Sequence, residues 1–376
     1  MRIGVTGAFG FLGANFISAL LNNRRRPDRS EGGLEITAFA SRTKFSPLFE
    51  NSDVDMQDLD IIDYETMARK FSGLDAVAHF AGRVDFRSSM RHSVWETDAL
   101  GSKRVFDAVL AAGVSKLLYV SSICALGAPA GDGAASLALA DESSAPYGDP
   151  RWPTSFAGPE AALAAVDDSA AGDYRFARSM RVAYFDAKLA GWELAKAYAR
   201  DKGLPVVTVF PGTAVGAGDL HYAISKLVDN VWEGRLRFSL EGSSSFAAVR
   251  DIAEGAILAL TKGRVGEGYV IAGRDEDNIG YVEFQERIAG LARREGRLAQ
   301  LKPRVLPKGL LLALALAAET VLPDGGLSEA FVRAGSVRNV CSSAKARAEL
   351  GYEPSPGLER AILECRRFGE TFARRP

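Results

Sequence analysis

The chain has 376 residues, enough for a large two-lobed α/β unit, and its 47% hydrophobic and 25% charged residues are ordinary for a globular protein. Lysine and arginine number 46 and the acidic residues 47, so the formal net charge is −1. Such a balance creates no long-range field that would attract nucleic acid, and we expect no nucleic-acid partner.

Cysteine and histidine usage indicates the compartment and argues against a metal site. Cys124, Cys341 and Cys365 are far apart and odd in number, which is typical of free thiols in a reducing compartment. The histidines are equally scattered, so we expect no metal centre.

The N-terminus and the longest apolar stretch bear on targeting. The chain opens on a strand-like segment instead of a signal peptide. The longest apolar stretch, Gly309 to Ala318, is about half as long as a membrane span requires. A cytoplasmic protein without a membrane span is therefore expected. That stretch is then a buried or interface helix, or alternatively a surface facing a lipid-like substrate or a membrane.

Strand-like apolar runs alternate with segments of helical spacing through the first 210 residues. Strands are predicted at Arg2–Thr6, Glu35–Ala40, Ala76–Phe80, Lys116–Ser121 and Pro205–Phe210. Helices are predicted at Gly10–Leu21, Tyr64–Phe71, Gly101–Ala112 and Tyr184–Asp201. This alternation predicts a doubly wound parallel sheet of the Rossmann type, covered by helices on both faces.

Three segments depart from this rhythm. Residues 22–33 are rich in arginine and indicate an exposed connection, and residues 128–172 are predicted to be an insertion with a short helix near Glu160–Val166. Beyond residue 210 the alternation is lost. Helices are predicted there at Ile252–Leu260, Tyr281–Arg293, Gly309–Leu322 and Leu358–Phe372. We therefore divide the chain into a main domain at 1–210 and a smaller lobe at 211–376, partly interleaved with the first.

A glycine-rich turn joins the first predicted strand to the first predicted helix. Glycines allow a tight turn and let backbone N–H groups approach a pyrophosphate at the start of a helix. The turn predicts a dinucleotide-binding domain at 1–210 and leaves 211–376 as the substrate-binding lobe. The residues expected to hold the cofactor here are Gly7, Gly10, Phe11, Leu12 and Gly13.

The end of the second predicted strand bears on the choice between NAD and NADP. An acidic residue at this position binds the ribose hydroxyls of NAD, whereas arginine accommodates the 2′-phosphate of NADP. This chain has no acid there and instead carries Ser41, Arg42 and Lys44. Because a guanidinium suits phosphate as a bidentate donor, NADP is predicted, with NAD as the alternative.

Further motifs accompany the glycine-rich turn: Asp58-Leu59, His79–Gly82, Val120–Ser122, Tyr184–Lys188 and Phe210–Asp219. Their order resembles the extended short-chain dehydrogenase/reductase family, the NAD(P)-dependent epimerase/dehydratase group. The last motif is especially similar to the dihydroflavonol-reductase-like branch and to hopanoid-associated sugar epimerases. The resemblance implies further cofactor contacts from Asp58, Leu59, Ala81, Gly82, Ser121, Tyr184, Lys188, Pro211 and Thr213.

Tyr184, Lys188 and Ser122 are the candidate catalytic residues. Tyr184 and Lys188 lie one helical turn apart, and an ammonium beside a phenol favours phenolate, so we expect a pKa of Tyr184 lowered toward working pH. Tyr184 would then exchange a proton with the substrate oxygen, which Ser122 would hold. The resemblance also implies that Lys188 binds the nicotinamide ribose.

Two departures from the family pattern concern the substrate side. Asp98 occupies the position that commonly carries Asn, which puts a water relay anchored by Asn in doubt, although Asp98 could equally cap the next helix. Ser122 and Tyr184 are 62 positions apart, which is long for the family. The insertion at 128–172 is therefore either a lid over the substrate or a surface decoration.

Three functions remain open at this point. The first is an NADP-dependent reductase of a ketone or aldehyde, or the reverse oxidation, on a small hydrophobic substrate. The second is a sugar-nucleotide epimerase or dehydratase that keeps NAD bound. The third is a sensor or scaffold that binds NADP without chemistry. A homodimer is expected by analogy only.

Overall fold

The computed structural model describes residues 1–24, 33–41, 45–127, 138–147, 149, 151–166, 181–220, 224–297, 302–322 and 326–373. Two predicted NADP contacts, Arg42 and Lys44, lie outside the described residues. So do most of the arginine-rich connection and much of the insertion at 128–172.

A seven-stranded sheet forms the centre of the molecule, with its strands in the order β3-β2-β1-β4-β5-β6-β10. Every neighbouring pair in this sheet is parallel. The order around β1 is that of the Rossmann fold, so the predicted doubly wound parallel sheet is confirmed. Its strands are β1 (Arg2–Thr6), β2 (Glu35–Ala40), β3 (Asp55–Asp58), β4 (Ala76–His79), β5 (Lys116–Val120), β6 (Val206–Pro211) and β10 (Gly268–Ile271).

The remaining strands belong to smaller sheets in the second half of the chain. Strand β9 pairs with β7, β11 and β13, and β8 pairs with β12. These strands are β7 (Thr213–Val215), β8 (Phe238–Ser239), β9 (Ser243–Ala248), β11 (Asn278–Gly280), β12 (Arg304–Val305) and β13 (Arg338–Asn339).

Helices cover both faces of the central sheet and build the smaller lobe. In chain order they are α1 (Phe11–Arg24), α2 (Tyr64–Phe71), α3 (Arg91–Trp95), α4 (Gly101–Ala112), α5 (Pro159–Val166), α6 (Ala183–Lys202), α7 (Ile224–Trp232), α8 (Val249–Lys262), α9 (Tyr281–Arg294), α10 (Lys308–Val321), α11 (Glu329–Gly335), α12 (Ala344–Leu350) and α13 (Leu358–Phe368).

Each face of the sheet has its own apolar core. Helices α1, α8 and α12 pack with side chains of one face, and α2, α4 and α6 pack with those of the other. A third core, formed by α7, α9 and α13 with Phe246, lies in the smaller lobe. A sheet buried on both sides explains why its strands read as nearly continuous apolar runs.

The chain crosses the predicted boundary at residue 210 more than once. Strand β10 pairs with β6 at the edge of the central sheet, and α8 and α12 contribute to one of its cores. The division into 1–210 and 211–376 stays a prediction. Elements from beyond residue 210 return to the central sheet and to its core, so the two segments are interleaved in the structure.

Asp98 does not cap α4. Helix α3, a single π-helical turn at Glu96–Leu100 and α4 follow one another without a break, and Asp98 lies within that turn. The residue before α4 is Leu100, which makes no side-chain cap. The suggestion that Asp98 acts as a helix cap is therefore wrong, because the helix begins earlier than its apolar pattern indicates.

Candidate active site

The carboxyl ends of β1 and β4 meet at one edge of the sheet through the backbone of Gly7. Gly7 has a φ of 67°, and a Cβ there would lie 2.4 Å from the nitrogen of Ala81. Only glycine combines this left-handed conformation with so close an approach. The predicted cofactor residues Gly7 and Ala81 are thus brought into direct contact.

The glycine-rich turn leaves a space at the start of α1. A Cβ on Gly13 would lie 2.3 Å from the carbonyl oxygen of Gly7, so Gly13 allows the helix to begin against the turn. Among the described residues, a Cβ on Gly10 would meet only the same oxygen within 4 Å, at 3.2 Å. This open side faces the start of a helix whose first N–H groups lack intrahelical acceptors, an arrangement that suits a phosphate. Phe11 and Leu12 are the first two residues of that helix.

The ends of β2 and β3 form the neighbouring part of the edge. Ala40 and Asp58 are register partners, and the N–H of Leu59 donates to the Ala40 carbonyl at 3.0 Å. Ser41 and Asp58 are exposed, whereas Leu59 is buried. The structure therefore brings Ser41, Asp58 and Leu59 together at one corner of the sheet.

Tyr184 and Lys188 lie in the first turns of α6, and both are buried. The Nζ of Lys188 is 5.8 Å from the centre of the Tyr184 ring. Ser122 follows β5 and is buried, and its hydroxyl acts on Tyr184 by lowering the pKa of that phenol. The hydroxyl of Ser121 donates to the Lys188 carbonyl at 3.4 Å. The three candidate catalytic residues thus converge beside the carboxyl end of β5.

Asp98 is a member of this cluster that the sequence analysis did not count among the site residues. Its Oδ1 is 2.8 Å from the Nζ of Lys188, and its Oδ2 accepts from the N–H of Arg83 at 2.8 Å. A Cβ on Gly82 would lie 2.7 Å from Asp98 Oδ1, so glycine there makes room for the pair. The substitution of Asp for the family's Asn was visible in the sequence, but its contact with Lys188 was not.

Burial and charge set the pKa values in the cluster. Burial, the largest influence, lowers the pKa of Lys188, but Asp98 and then Tyr184 oppose it, so the net pKa lies well above its usual range. Burial raises the pKa of Tyr184; Lys188 opposes this rise, whereas Asp98 adds to it. The expectation of a lowered pKa for Tyr184 is therefore wrong, because burial outweighs an ammonium already paired with a carboxylate. Tyr184 is held as a phenol at neutral pH.

A buried hydrogen-bond chain supports the cluster from behind. Thr6 Oγ1 is 2.7 Å from His79 Nδ1, His79 Nε2 is 3.2 Å from Ser102 Oγ, and Ser102 donates to the Asp98 carbonyl at 2.7 Å. Burial and, to a lesser extent, the charge of Lys188 together lower the pKa of His79 to about 3. A neutral imidazole accordingly joins β1, β4 and α4 beneath the site.

The side of Tyr184 that faces the smaller lobe is apolar. The ring centre of Phe86 is 6.0 Å from that of Tyr184 and 6.3 Å from that of Phe331 in α11. Ser328, which caps α11, donates from its hydroxyl to the Phe86 carbonyl at 2.5 Å. Phe86 and Phe331 were not singled out in the sequence, since aromatic residues in loops and short helices carry no pattern that distinguishes a pocket wall.

The ends of β6 and β7 complete the edge. Pro211 ends β6 and is buried, while the hydroxyls of Thr213 and Ser244 lie 2.7 Å apart and join β7 to β9. The predicted cofactor residues Pro211 and Thr213 therefore lie where the central sheet meets the smaller lobe.

The described residues contain neither a metal cluster nor a membrane-spanning helix. They hold no cluster of three or more His, Cys, Asp or Glu side chains arranged for a metal ion. Among the described helices, none combines the length and the apolar character that a membrane crossing requires.

A Rossmann sheet with a glycine-rich turn and a buried Tyr–Lys–Ser cluster at its carboxyl edge defines the class of NAD(P)-dependent oxidoreductases. The sequence profile of the NAD dependent epimerase/dehydratase family matches residues 3–153 and 154–272. The chain belongs to this family and is an NAD(P)-dependent oxidoreductase of the extended short-chain dehydrogenase/reductase type. The resemblance stated from its motifs is confirmed.

Individual relatives are distant. Sterol demethylase protein B from Methylococcus capsulatus is 25% identical over 305 residues, 80% of this chain and 78% of that protein. A 3-beta-hydroxysteroid dehydrogenase from Mycolicibacterium neoaurum is 24% identical over 97% of this chain and 90% of its own length. A crystal structure of a dTDP-glucose 4,6-dehydratase double mutant from Streptomyces venezuelae, with NAD bound, aligns with a TM-score of 0.67. It is 21% identical over 99% of this chain and 97% of the other, and it supports the fold.

Proposed function

We propose that this protein is an NADP-dependent oxidoreductase that reduces a ketone or aldehyde, or oxidises the corresponding alcohol, of a small hydrophobic substrate. The observation that carries the proposal is the convergence of Tyr184, Lys188 and Ser122 at the carboxyl edge of the sheet. A sensor or scaffold would not need this buried set of polar groups, whose burial is costly.

Tyr184 acts as the proton donor in the reduction direction. Its raised pKa keeps the phenol protonated at neutral pH, and its hydroxyl releases the proton to the carbonyl oxygen as that oxygen gains negative charge. Ser122 donates a hydrogen bond to the same oxygen and stabilises the developing charge. Lys188, held by Asp98, stabilises the phenolate that remains.

The residues at the edge of the sheet fit a dinucleotide. The open side of Gly10 and the start of α1 would take the pyrophosphate. Ser41, Asp58 and Leu59 would contact the adenosine part of the cofactor. The nicotinamide half would contact the residues nearer the catalytic cluster: Ala81, Gly82, Ser121, Lys188, Pro211 and Thr213. When bound, the nicotinamide supplies hydride to the substrate carbon in reduction and accepts it in oxidation.

An apolar substrate is supported by the wall that Phe86 and Phe331 build beside Tyr184. An aromatic wall favours apolar rings by removing their surface from water. Two of the relatives carry sterol or steroid in their names, which agrees with a ring ketone or ring alcohol as substrate.

NADP is proposed over NAD because the end of β2 carries Ser41, Arg42 and Lys44 and no acid. Replacing Arg42 with Ala should reduce the ratio of kcat/KM with NADPH to that with NADH by about tenfold or more, since a charge-assisted bidentate contact is lost. The ratio is measured with one carbonyl substrate and both cofactors. An unchanged ratio would show that Arg42 does not bind the 2′-phosphate.

A second candidate is a sugar-nucleotide epimerase or dehydratase that retains NAD. The name of the matched family favours it, and the same Tyr184 and Lys188 would serve it. The nucleotide that co-purifies with the protein distinguishes the two functions. Stoichiometric NAD that survives gel filtration favours the epimerase, and exchangeable NADP favours the reductase.

The direct experiment is consumption of NADPH by the purified protein in the presence of steroid ketones, cyclic ketones and aromatic aldehydes. We expect turnover with at least one apolar ring ketone and none with sugar nucleotides. Consumption of no carbonyl compound, together with conversion of a sugar nucleotide without added cofactor, would refute the reductase proposal.

A further inference from the structure

Helix α10 presents an apolar face to the outside of the molecule. Its buried side consists of Leu311 and Ala315, which pack with Val332 of α11. On the opposite side Leu310, Leu314 and Leu316 are 49%, 47% and 51% exposed, and Val321 is 76% exposed. A helix in water normally carries polar residues on such a face, so this one is suited to contact something apolar.

The strand before α10 carries further exposed apolar side chains and positive charge. Arg304 and Val305 form β12, which pairs with Phe238 and Ser239 of β8, and Val305 and Phe238 are 47% and 48% exposed. Arg237 and Arg304 are exposed beside them, and the backbone N–H of Arg304 donates to the Arg237 carbonyl at 2.9 Å. Lys308 begins α10. The exposed apolar side chains Leu310, Leu314, Leu316 and Val321 are called the α10 surface below.

Apolar side chains bordered by cations match an anionic lipid surface. Leucine and phenylalanine enter the boundary between headgroups and acyl chains, and arginine and lysine pair with lipid phosphates. A second copy of this chain is a poorer partner, because a twofold contact of this surface with itself would bury Arg237, Arg304 and Lys308 without acidic partners from the same surface. A net charge of −1 for the whole chain does not oppose such binding, since this attraction acts within about a Debye length.

The α10 surface adjoins the candidate active site. Glu319 of α10 accepts a hydrogen bond from the Ser88 hydroxyl, two residues beyond Phe86. Phe331 of α11 contacts Phe86, which in turn contacts Tyr184. Contacting aromatic side chains therefore link α11, on which α10 packs, to the proposed proton donor.

We propose that the α10 surface lies on the surface of an anionic bilayer, with α10 parallel to it, so that a membrane-dissolved substrate reaches the site from the lipid side. The substrate route rests on the proposed function, whereas the membrane contact does not. Helix α10 has 14 residues, so it can lie in the interface but is too short to span.

Flotation of the full chain with lipid vesicles tests the contact. Vesicles of equal parts phosphatidylcholine and phosphatidylglycerol should carry the protein at low salt, and phosphatidylcholine alone should carry much less. The double variant Leu310→Gln/Leu314→Gln should bind about tenfold more weakly or worse. The double variant Arg237→Gln/Arg304→Gln should bind the anionic vesicles about fivefold more weakly for each cation removed, and this binding should lose most of its salt dependence.

Val265→Gln is the matched control, because Val265 is 61% exposed but lies in the loop before β10. It should float like the wild type. If the Leu310→Gln/Leu314→Gln variant has a lower helix content by circular dichroism, the variant Leu316→Gln/Val321→Gln is used in its place, because those two side chains are more exposed.

The proposal is overturned if the wild type does not float with the anionic vesicles, or if the leucine variants float as well as the wild type. It is also overturned if the leucine variants convert a wild-type dimer to a monomer in light scattering, because the surface then joins two copies. Turnover of a water-soluble aldehyde should stay unchanged in all these variants. If the protein floats with the vesicles but turns over no carbonyl compound, the proposed function is refuted and the membrane contact is still supported.

Discussion

At the residue scale, Asp98 sets this chain apart from the pattern it otherwise follows. Asp98 is fully buried and pairs directly with Lys188. A buried ion pair is stabilising only when its remaining hydrogen bonds are made; here the N–H of Arg83 supplies one of them. The pair neutralises much of the positive charge that would otherwise favour ionised Tyr184, and so it favours the phenol that donates a proton.

Replacing Asp98 with Asn should lower the pKa of Tyr184, because the carboxylate of Asp98 raises it. In the oxidation direction Tyr184 must be ionised, so the rate rises with pH on the alkaline side. The midpoint of that rise should move to lower pH in the variant. Stability should fall by about 3 kcal/mol, since Lys188 loses its buried partner.

The measurement is the pH profile of kcat for alcohol oxidation. Asp201→Asn is the control, since Asp201 is an exposed acid near the end of the same helix. A midpoint that stays in place or moves upward would show that Asp98 does not act on Tyr184 through charge.

Sequence patterns reveal side-chain types but not which of them meet. Tyr184, Lys188 and Ser122 were predictable because a helix and a strand end carry them in recognisable spacing. The effect of burial on Tyr184 was not, because it depends on Phe86 and Asp98, which lie about 100 residues earlier in the sequence.

At the element scale, the junction of β1 with α1 is specified by glycine. A Cβ on Gly13 would lie 2.3 Å from a backbone oxygen that cannot yield without moving the turn. Gly13→Ala should therefore weaken NADPH binding by about tenfold or more. Fluorescence titration of NADPH measures the loss.

Gly290→Ala is the matched control for this change. Gly290 lies in α9, and a Cβ there would meet no atom of the described residues within 4 Å. Alanine should leave NADPH binding intact and raise stability by about 0.5–1 kcal/mol through helix propensity. Unchanged NADPH binding in Gly13→Ala would mean that the turn tolerates a side chain and is not a tight cofactor cradle.

Five strands of the central sheet and the helices between them were predicted to within a few residues, because buried strands and helices carry periodic apolar patterns. Strands β3 and β10 of the same sheet were not predicted; β3 is mostly exposed and β10 has only four residues. Strand β9, Ser243–Ala248, gave no such signal: it begins with three serines, and its pairing with β7, β11 and β13 comes from tertiary contacts. Strands β8, β12 and β13, each of two residues, are too short for any period to be read.

At the scale of the whole molecule, His79 makes stability depend on pH. Burial lowers the pKa of His79 from 6.5 to about 3. Between these values the unfolded chain binds a proton that the folded chain does not, so stability is complete above pH 6.5 and falls as the pH decreases below it. The slope from this residue is about 1.4 kcal/mol per pH unit.

Urea unfolding of the wild type and of His79→Gln between pH 7 and pH 4.5 (about two units below the usual histidine range) measures this contribution. The difference between the two proteins isolates the contribution of His79. Buried acids such as Asp186, whose pKa burial raises to about 6, change stability with pH in the opposite direction, but they do so equally in both proteins and cancel in the difference. We expect the wild type to lose more stability on acidification. Equal losses would mean that His79 is not held neutral.

The central claim is that Tyr184 donates the proton to the substrate oxygen. Tyr184→Phe should lower kcat for NADPH-dependent reduction of the best carbonyl substrate by about 10²- to 10⁴-fold, while the Kd for NADPH stays within about twofold. Tyr198→Phe, on the same helix and also buried, should change neither value greatly. A Tyr184→Phe protein that binds NADPH normally and retains kcat would contradict the account.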